Sequence, residues 1–279
     1  MLAKLRREWP LPRVYATVLV VVFTGFAVVP LAWMLSSSIK NQADVFQLPI
    51  RWVPPKPAWF TYVEALGRYN FARYISNSLF VSAAITAISV LFSSLAGYGL
   101  AKYRFPGRDL LFLLVLATMM LPLEVILVPM FLITKQLRWL NTYQGLIVPM
   151  AVEAFGIFLM RQYVLGIPDT LIEAARIDGA SEIAIFARVI LPLCRPVLAT
   201  LAIFSFRESW DLFMWPLIIL TKDNLKTLPL GIALFENAYQ SAYNELMAVA
   251  AVSLIPVTLL FFLFQRAFVQ GIALTGLKE

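Results

Sequence analysis

The feature that most constrains the fold is a long apolar run at residues 14–35, which contains no charged residue. A helix needs about 20 predominantly apolar residues to cross the hydrocarbon core of a bilayer. Runs of similar length recur along the chain, at residues 77–101, 110–133, 142–160, 196–220 and 245–268. The pattern predicts an all-α, polytopic membrane protein with six transmembrane helices.

The composition agrees with this prediction, because 61% of the 279 residues are hydrophobic and only 14% are charged. Soluble domains average about 45–50% apolar and about 25% charged residues. The chain has no histidine and one cysteine, Cys194. These counts exclude histidine-dependent catalytic triads, histidine-zinc sites, internal disulfides and CxxC motifs. We therefore expect neither catalytic residues nor metal ligands.

The distribution of lysine and arginine predicts the orientation, since these residues favour the cytoplasmic flanks of transmembrane helices. With a cytoplasmic N terminus, 13 of these cations lie on the inner side and 9 on the outer side, with Arg207 inside a span. We predict that both termini are cytoplasmic. The net charge of +7 is not accompanied by an interleaved basic and aromatic patch, so we expect no nucleic-acid partner.

The first apolar run exceeds the core of a signal peptide, about 7–15 residues, so we predict a retained helix. Prolines interrupt the following segment, where we expect Trp52 and Trp59 to pack within the loop or at the membrane interface, with docking of a partner as the alternative. The predicted divisions are a cytoplasmic segment at 1–13, the first helix at 14–35, an extracytoplasmic loop at 36–76, a five-helix core at 77–268 with a cytoplasmic loop at 161–195, and a cytoplasmic tail at 269–279.

Two of the predicted spans have a distinctive composition. The second is dense in small residues such as Ser93 and Gly97, which allow transmembrane helices to approach closely. The third contains Pro122 and Pro129, which predict a kink whose freed carbonyl groups need packed neighbours or water. We therefore expect the second span to face other helices and the third to bend.

The cytoplasmic loop at 161–195 carries signals for two short helices. Thr170 and Glu173 have the spacing of a capping box, which predicts a helix from about Leu171. Gly179 is placed to end this helix in a left-handed cap, and Ser181 can cap a second helix that Pro192 ends. Helices this short need packing partners. The local sequence signals alone are also compatible with a hairpin that rests on lipid headgroups at the membrane surface.

The same loop resembles the EAA loop of binding-protein-dependent ABC importer permeases. The resemblance rests on Glu173-Ala174-Ala175, Gly179 and Val189-Ile-Leu-Pro192, with valine where isoleucine is usual. It is closest to the carbohydrate-uptake branch, the maltose and glycerol-3-phosphate permease type. Further markers are Asn77-Ser-Leu79, Tyr103-Arg-Phe-Pro-Gly107, Met120-Leu-Pro122, Ser209-Trp-Asp211, Thr227-Leu-Pro-Leu-Gly231 and Gln265-Arg-Ala-Phe-Val-Gln-Gly271.

This resemblance implies a fold of about six helices and an assembly with a second permease subunit, two ATPase subunits and an extracytoplasmic solute-binding protein. It also implies that the helix ending at Gly179 sits in a cleft on an ATPase and moves when nucleotide closes the ATPase dimer. The coupling residues it implies are Glu173, Ala174, Ala175, Asp178 and Gly179. The chain lacks a GxxxxGK[ST] phosphate loop, so ATP and magnesium would bind to the ATPases and no cofactor to this chain.

Ionisable residues inside a span cost about 2.5–3.5 kcal/mol each near its centre and usually face protein or water. Such residues are Glu124, Glu153, Arg207, Glu208 and Asp211. One interpretation is an internal Arg207–Asp211 pair, four residues apart on one helical face, with carboxylates at headgroup level. The functional interpretation is a polar solute path that contains Glu124, Glu208 and Asp211, with Trp210 or Trp215 offering an aromatic face to a sugar.

Three functions remain open at this point. The favoured one is a permease subunit of an ATP-driven importer in the cell membrane, whose solute is a sugar, a polyol or glycerol phosphate. The second is an ion-coupled secondary transporter with Glu124, Glu208 and Asp211 as relay groups, although no inverted repeat is evident. The third is a membrane assembly subunit without transport activity, which has no need of carboxylates within its spans.

Overall fold

The computed structural model describes residues 10–68, 70–238 and 242–276, and these residues contain helices but no β-strand. The predicted all-α fold is therefore confirmed for the described part of the chain. The helices are α1 Pro10–Ser38, α2 Phe60–Arg68, α3 Phe71–Lys102, α4 Arg108–Thr118, α5 Leu123–Gln136, α6 Tyr143–Ile147, α7 Ala154–Leu165, α8 Asp169–Ile177, α9 Glu182–Ile185, α10 Leu191–Leu193, α11 Arg195–Trp210, α12 Met214–Ile219, α13 Leu228–Ala238 and α14 Tyr243–Gly276.

In the described part of the chain, three helices are long and apolar enough to cross a membrane, at Val14–Ser38, Phe71–Lys102 and Tyr243–Gln265. Three pairs of helices pass the same test together but bend sharply between their members. The pairs are Arg108–Thr118 with Leu123–Gln136 at 103°, Tyr143–Met150 with Ala154–Leu165 at 43°, and Glu182–Leu193 with Arg195–Trp210 at 81°. Among the described residues up to six crossings result if each bent pair counts as one, which is the predicted number. The last pair differs from the prediction, because it includes Glu182–Leu193, which lies in the predicted cytoplasmic loop.

The proline-containing third span is broken rather than kinked. Pro122 has the extended conformation of an N-cap, with φ −66° and ψ 146°, and a new helix, α5, starts at the next residue. Pro129 lies inside α5 without ending it. The predicted fifth span, residues 196–220, is also interrupted, since α11 ends at Trp210 and α12 begins at Met214. The predicted fourth span, residues 142–160, is divided as well, between Met150 and Ala154, so three of the predicted helices are interrupted.

Helices also occur where loops were predicted. Helix α2 lies in the proline-rich segment, where Thr61 and Ala65 are buried and the intervening Val63 and Glu64 are exposed. Residues four apart share a helix face, so this short helix buries one side. Helix α13 lies between the predicted spans 196–220 and 245–268. These amphipathic helices are too short to give a transmembrane signal.

The described chain divides into two compact units. The first contains residues 10–68, 235–238 and 242–252, and the second contains 70–234 and 253–276. In the first unit Trp52 packs edge-on against Trp33 with 5.8 Å between ring centroids, so Trp52 is a loop-packing residue as predicted. Trp59 is exposed. Residues 14–31 of α1 are exposed along their whole length, which leaves an apolar surface for lipid.

In the second unit α3 packs along α7 and α11, and small residues bring α3 and α7 close together. A Cβ atom added at Gly97 would lie 2.5 Å from the Met160 Cβ, and one added at Gly156 would lie 2.5 Å from the Ser93 Oγ. Both distances are below van der Waals contact, so only glycine fits at either position. The predicted close packing of the second span is confirmed.

Loops attach to opposite ends of α3. At its N-terminal end, the Asn77 side chain donates to the Lys226 carbonyl over 2.8 Å, and the Ser78 hydroxyl accepts the Leu228 amide over 2.8 Å. The Tyr74 hydroxyl donates to Asp223 over 2.7 Å and is the main reason why the pKa of that carboxyl lies below its usual value. The C-terminal end of α3 contacts the segment between α7 and α11 instead.

Candidate functional site

Helix α8 begins at Asp169, two residues before the predicted start. The predicted capping box does not form, because the N-cap is Pro168, which offers no side-chain acceptor. The first turn is held instead by Lys102, whose Nζ lies 2.5 Å from the Asp169 Oδ1 and 2.5 Å from the Ile167 carbonyl oxygen. The hydrogen bond from Lys102 holds the pKa of Asp169 below its usual value. A carboxylate in a first turn also interacts favourably with the helix dipole.

The C-terminal end of α8 follows the prediction. Gly179 has φ +78°, the left-handed region that favours glycine. Its amide donates to the Arg176 carbonyl over 3.0 Å, and the Ala180 amide donates to the Ala175 carbonyl over 3.0 Å. These two bonds form a Schellman motif, which ends the helix and reverses the chain. The predicted glycine stop is confirmed.

The second arm begins with the predicted serine cap, since the Ser181 Oγ accepts the Ala184 amide over 3.3 Å. Helix α9 continues through a π-helical segment, Phe186–Ile190, into α10. Pro192 does not end this arm, because α10 runs to Leu193 and the chain then bends at Cys194 into α11. Pro192 is the second residue of α10 and follows directly on the π-helical segment. We refer to residues 169–185 as the hairpin.

A carboxylate joins both arms of the hairpin to α3. Arg176 Nε donates to the Glu182 Oε1 over 2.7 Å, and Nη2 donates to Oε2 over 3.2 Å. The hydroxyl of Tyr103, directly after α3, donates to the same carboxylate. The hydrogen bond to Glu182 raises the pKa of Arg176. Bidentate pairs of this kind fix geometry as well as charge.

Under these polar contacts the hairpin belongs to a hydrophobic cluster. Ile172, Ile185 and Phe186 are buried against Tyr98 and Ala101 of α3. The cluster therefore joins the hairpin to the C-terminal end of α3 by apolar packing as well as by hydrogen bonds. A two-arm element of this length depends on such packing for its stability.

The side of the hairpin that faces away from this cluster is exposed. Of the coupling residues inferred from the sequence, Glu173, Ala174, Asp178 and Gly179 are exposed, whereas Ala175 is half-buried and packs on the cluster. Two further apolar side chains lie on the surface of the hairpin. Ile177 is 86% exposed and Ile183 is 80% exposed. Sequence reasoning missed both, although isoleucine beside polar residues in a short capped helix is a usable signal.

The carboxylates of the predicted solute path occupy exposed positions. Glu124 lies in the first turn of α5, and Glu208 lies near the C-terminal end of α11. The Arg207 Nε and the Asp211 Oδ2 are 3.2 Å apart, as the four-residue spacing predicted. Glu153, the N-cap residue of α7, is half-buried. Arg207, Glu208 and Asp211 thus lie together at the C-terminal end of α11.

The two tryptophans of the predicted path are buried. Trp215 is fully buried, and its Nε1 donates to the Gly145 carbonyl over 3.0 Å. Trp210 is 4% exposed and stacks on Phe206 with 5.9 Å between centroids. In this conformation neither ring presents a face to a solute, and both act as packing residues. A polar N–H that finds a buried carbonyl is the usual arrangement for tryptophan in a core.

Metal-binding potential is low in the described part of the chain. Residues 10–68, 70–238 and 242–276 contain no group of three or more His, Cys, Asp or Glu side chains that could hold a metal ion. Cys194 is buried in the hydrophobic cluster under the hairpin. Its surroundings are apolar, which suits a packing role for the thiol.

Comparisons with known proteins agree with one another. The arabinooligosaccharides transport system permease protein of Halalkalibacterium halodurans is 42% identical over 205 residues, which are 74% of each chain. The sn-glycerol-3-phosphate transport system permease protein of Pectobacterium atrosepticum is 34% identical over 246 residues, or 85% of this chain and 87% of the relative.

A solved structure is also similar. It is the crystal structure of a bacterial ABC transporter involved in the import of the acidic polysaccharide alginate, and one of its chains superposes with a TM-score of 0.81. The sequence identity is 26%, and the match covers 94% of this chain and 99% of the other. The profile of the family described as binding-protein-dependent transport system inner membrane component matches residues 89–274. The chain belongs to this family of inner membrane transport components.

Proposed function

We propose that this chain is one of two permease subunits of an ATP-driven importer for a sugar or a related polyol or glycerol-phosphate solute. Its partners are the second permease, two ATPase subunits that bind ATP and magnesium, an extracytoplasmic solute-binding protein and the membrane lipid. The chain itself carries out no catalysis. Relatives named for arabinooligosaccharides and for sn-glycerol-3-phosphate support this solute class.

The observation that carries the proposal is the construction of the hairpin. It is fastened to α3 on one side and exposes Glu173, Ile177 and Ile183 on the other. An exposed apolar side chain beside a carboxylate suits a groove with a basic rim on a partner. We infer that an ATPase receives this face.

Transport follows from movement of the hairpin. When ATP closes the ATPase dimer, each ATPase carries its hairpin inward, and the two permeases turn from an inward-facing to an outward-facing arrangement. The binding protein then releases the solute into the cavity between the permeases. Energy enters only through the hairpin, because the sequence has no phosphate-binding loop of its own.

The topology proposed with this mechanism places both termini and the hairpin in the cytoplasm. The loop at 103–107 then shares the cytoplasmic side with the hairpin, and residues 221–227 lie outside. Contacts support this division, since Tyr103 reaches Glu182 while Asn77, at the other end of α3, reaches Lys226. The N-terminal segment lies mostly outside the described residues, as do Lys278 and Glu279.

The solute path proposed here contains Glu124, Glu208 and Asp211. Carboxylates on exposed positions of a transmembrane subunit suit hydrogen bonding to the hydroxyl groups of a sugar. Trp210 and Trp215 do not belong to the path in this conformation, because both rings are buried.

The test is ATP-dependent uptake by the complete importer in proteoliposomes. We expect Glu173→Lys and Gly179→Asp to insert and assemble normally but to lower uptake at least about tenfold, as substitutions at interface hot spots do. Glu64→Lys, the same charge reversal on the exposed face of α2, is the matched control. Normal uptake by both hairpin variants, at equal abundance, would refute coupling through the hairpin.

A second experiment distinguishes between the competing functions. Substituting the phosphate-binding lysine of the ATPase should abolish uptake, and ionophores should leave wild-type uptake unchanged. The ion-coupled alternative predicts the opposite pair of results. The assembly-subunit alternative predicts that hairpin variants affect complex formation rather than the amount of solute imported.

A further inference from the structure

Two consecutive residues at the C-terminal end of α3 hold the two ends of α8. Lys102 binds the start of α8 through the Asp169 carboxylate and the Ile167 carbonyl, each at 2.5 Å. Tyr103 reaches the other end through Glu182, which also binds Arg176 in the last turn of α8. Because both ends of α8 are held by the C-terminal end of α3, these contacts restrict the tilt of α8 relative to α3.

Packed aromatic rings lie beneath these polar contacts. The Tyr98 ring lies 5.5 Å from the Tyr103 ring and 5.6 Å from the Phe186 ring, measured between centroids. Close-packed interiors transmit strain rather than absorbing it. The polar contacts on top add little stability, because the Arg176 and Glu182 side chains are about half exposed. Their contribution is to fix an angle.

The route along the chain from the hairpin to α11 is less direct. It passes through the π-helical segment Phe186–Ile190 and then through a bend of 81° at Cys194. Helix α3, in contrast, runs for 32 residues without a break and packs on both α7 and α11. Movement of the hairpin therefore has a straighter path through α3 than through its own chain.

We propose that Lys102 and Tyr103 are positioning residues that fix the angle of α8 to α3, so that the hairpin and α3 move as one body. The inference rests on the proposed function, because the movement it transmits is the one imposed by the ATPases. Neither residue contacts solute or nucleotide. Each acts through a partner, Lys102 through Asp169 and Tyr103 through Glu182.

The test measures solute imported per ATP hydrolysed by the complete importer in proteoliposomes. Tyr103→Phe removes the hydroxyl and keeps the ring, and Lys102→Met removes the ammonium group and keeps a similar chain. We expect each variant to assemble and to hydrolyse ATP, and to import about 2- to 30-fold less solute per ATP, the range found for residues that carry coupling between sites.

Tyr163→Phe is the matched control. The Tyr163 side chain also packs against the cluster, but its hydroxyl donates to the Leu193 carbonyl over 3.3 Å, after the hairpin rather than in α8. This variant should keep the wild-type ratio of import to hydrolysis. If a general loss of packing were responsible, the control would fall together with Tyr103→Phe, and the proposal would be overturned.

A distance measurement provides a readout that uptake cannot. Spin labels at Thr170 on α8 and Leu95 on α3, both exposed, report the angle between the helices in a Cys194→Ala background. We expect a narrow distance distribution in the parent and a broad one after Lys102→Met or Tyr103→Phe. Unchanged distributions and unchanged import per ATP in both variants would overturn the proposal.

The outcomes also separate this inference from the proposed function. If the wild-type complex imports nothing in response to ATP, the proposed function fails. If the wild type imports and the variants are as well coupled as the wild type, the function stands and the positioning role fails. If Tyr103→Phe does not assemble, Lys102→Met decides, because it releases the opposite end of the same helix.

Discussion

Replacing Gly97 by alanine tests whether close approach of α3 and α7 is built into the fold. The added Cβ would lie 2.5 Å from the Met160 Cβ and 2.8 Å from the Arg161 backbone nitrogen. The second atom is backbone, so a side-chain rotation cannot relieve both contacts. Helix α7 must withdraw by about 1 Å to restore ordinary contact distances, and this movement opens gaps in the close-packed surroundings.

Gly99 supplies the matched control, because a Cβ added there meets nothing within 4 Å. Alanine is favoured over glycine inside a helix by about 1 kcal/mol, and this gain applies equally to both positions. Overpacking costs about 1–3 kcal/mol and applies only at Gly97. Gly97→Ala should therefore be less stable than Gly99→Ala by about 1–3 kcal/mol. In a chain of this size the difference corresponds to a Tm lower by about 2–5 °C.

The single cysteine provides the assay. Cys194 is buried in the cluster next to α7, so a maleimide dye that fluoresces on reaction reports unfolding when the complex is heated in detergent. The other subunits should be free of cysteine for this measurement. Equal Tm values for Gly97→Ala and Gly99→Ala, or a higher value for Gly97→Ala, would refute the argument from close packing.

Three further predictions address single contacts. Ser181→Ala removes the cap of α9 and should lower the stability of this helix by about 1 kcal/mol. Hydrogen exchange at the Ala184 amide should then be faster, and an unchanged exchange rate would contradict the prediction. Trp215→Phe leaves the buried Gly145 carbonyl without its donor and should lower the free energy of unfolding by about 1–3 kcal/mol. The shift in Tm measures this loss, and an unchanged Tm would mean that water replaces the donor. Lys102 lowers the pKa of Asp169 in the folded protein, so the contact between them should persist from neutral pH down to the ordinary aspartate pKa of about 3.9. The contact should be lost only as the pH falls through the lower pKa that Asp169 has in the folded protein. Protease accessibility of the hairpin measures the loss of this contact, and opening of the hairpin near pH 6 would contradict the prediction.

Local signals in the sequence predicted local structure well. Gly179 was expected to end α8 and Ser181 to cap α9, and both do, because the determinants lie within a few residues of their effect. The dense small residues of the second span predicted its close packing for a similar reason. Side-chain size alone decides how near two helices can come.

Features that depend on distant residues were not predictable. The contact of Lys102 with the first turn of α8 joins residues 67 apart in the chain, and no nearby pattern reveals it. Trp210 and Trp215 were expected on a solute path because tryptophan often lines sugar sites, but burial depends on the packing of other helices. The break before Leu123 was underestimated, since proline signals an interruption without specifying its angle.

The fastening of residues 223–228 to the start of α3 has a consequence for biosynthesis. Ser78 and its partner amide at Leu228 are 150 residues apart in the chain. A ribosome that adds about 5–20 residues per second needs about 8–30 s to make the intervening polypeptide. During that interval the Asn77 and Ser78 side chains stand at the end of a newly inserted helix before their later partners exist. Lipid headgroups, water or a membrane chaperone must satisfy them until about four fifths of the protein has been made.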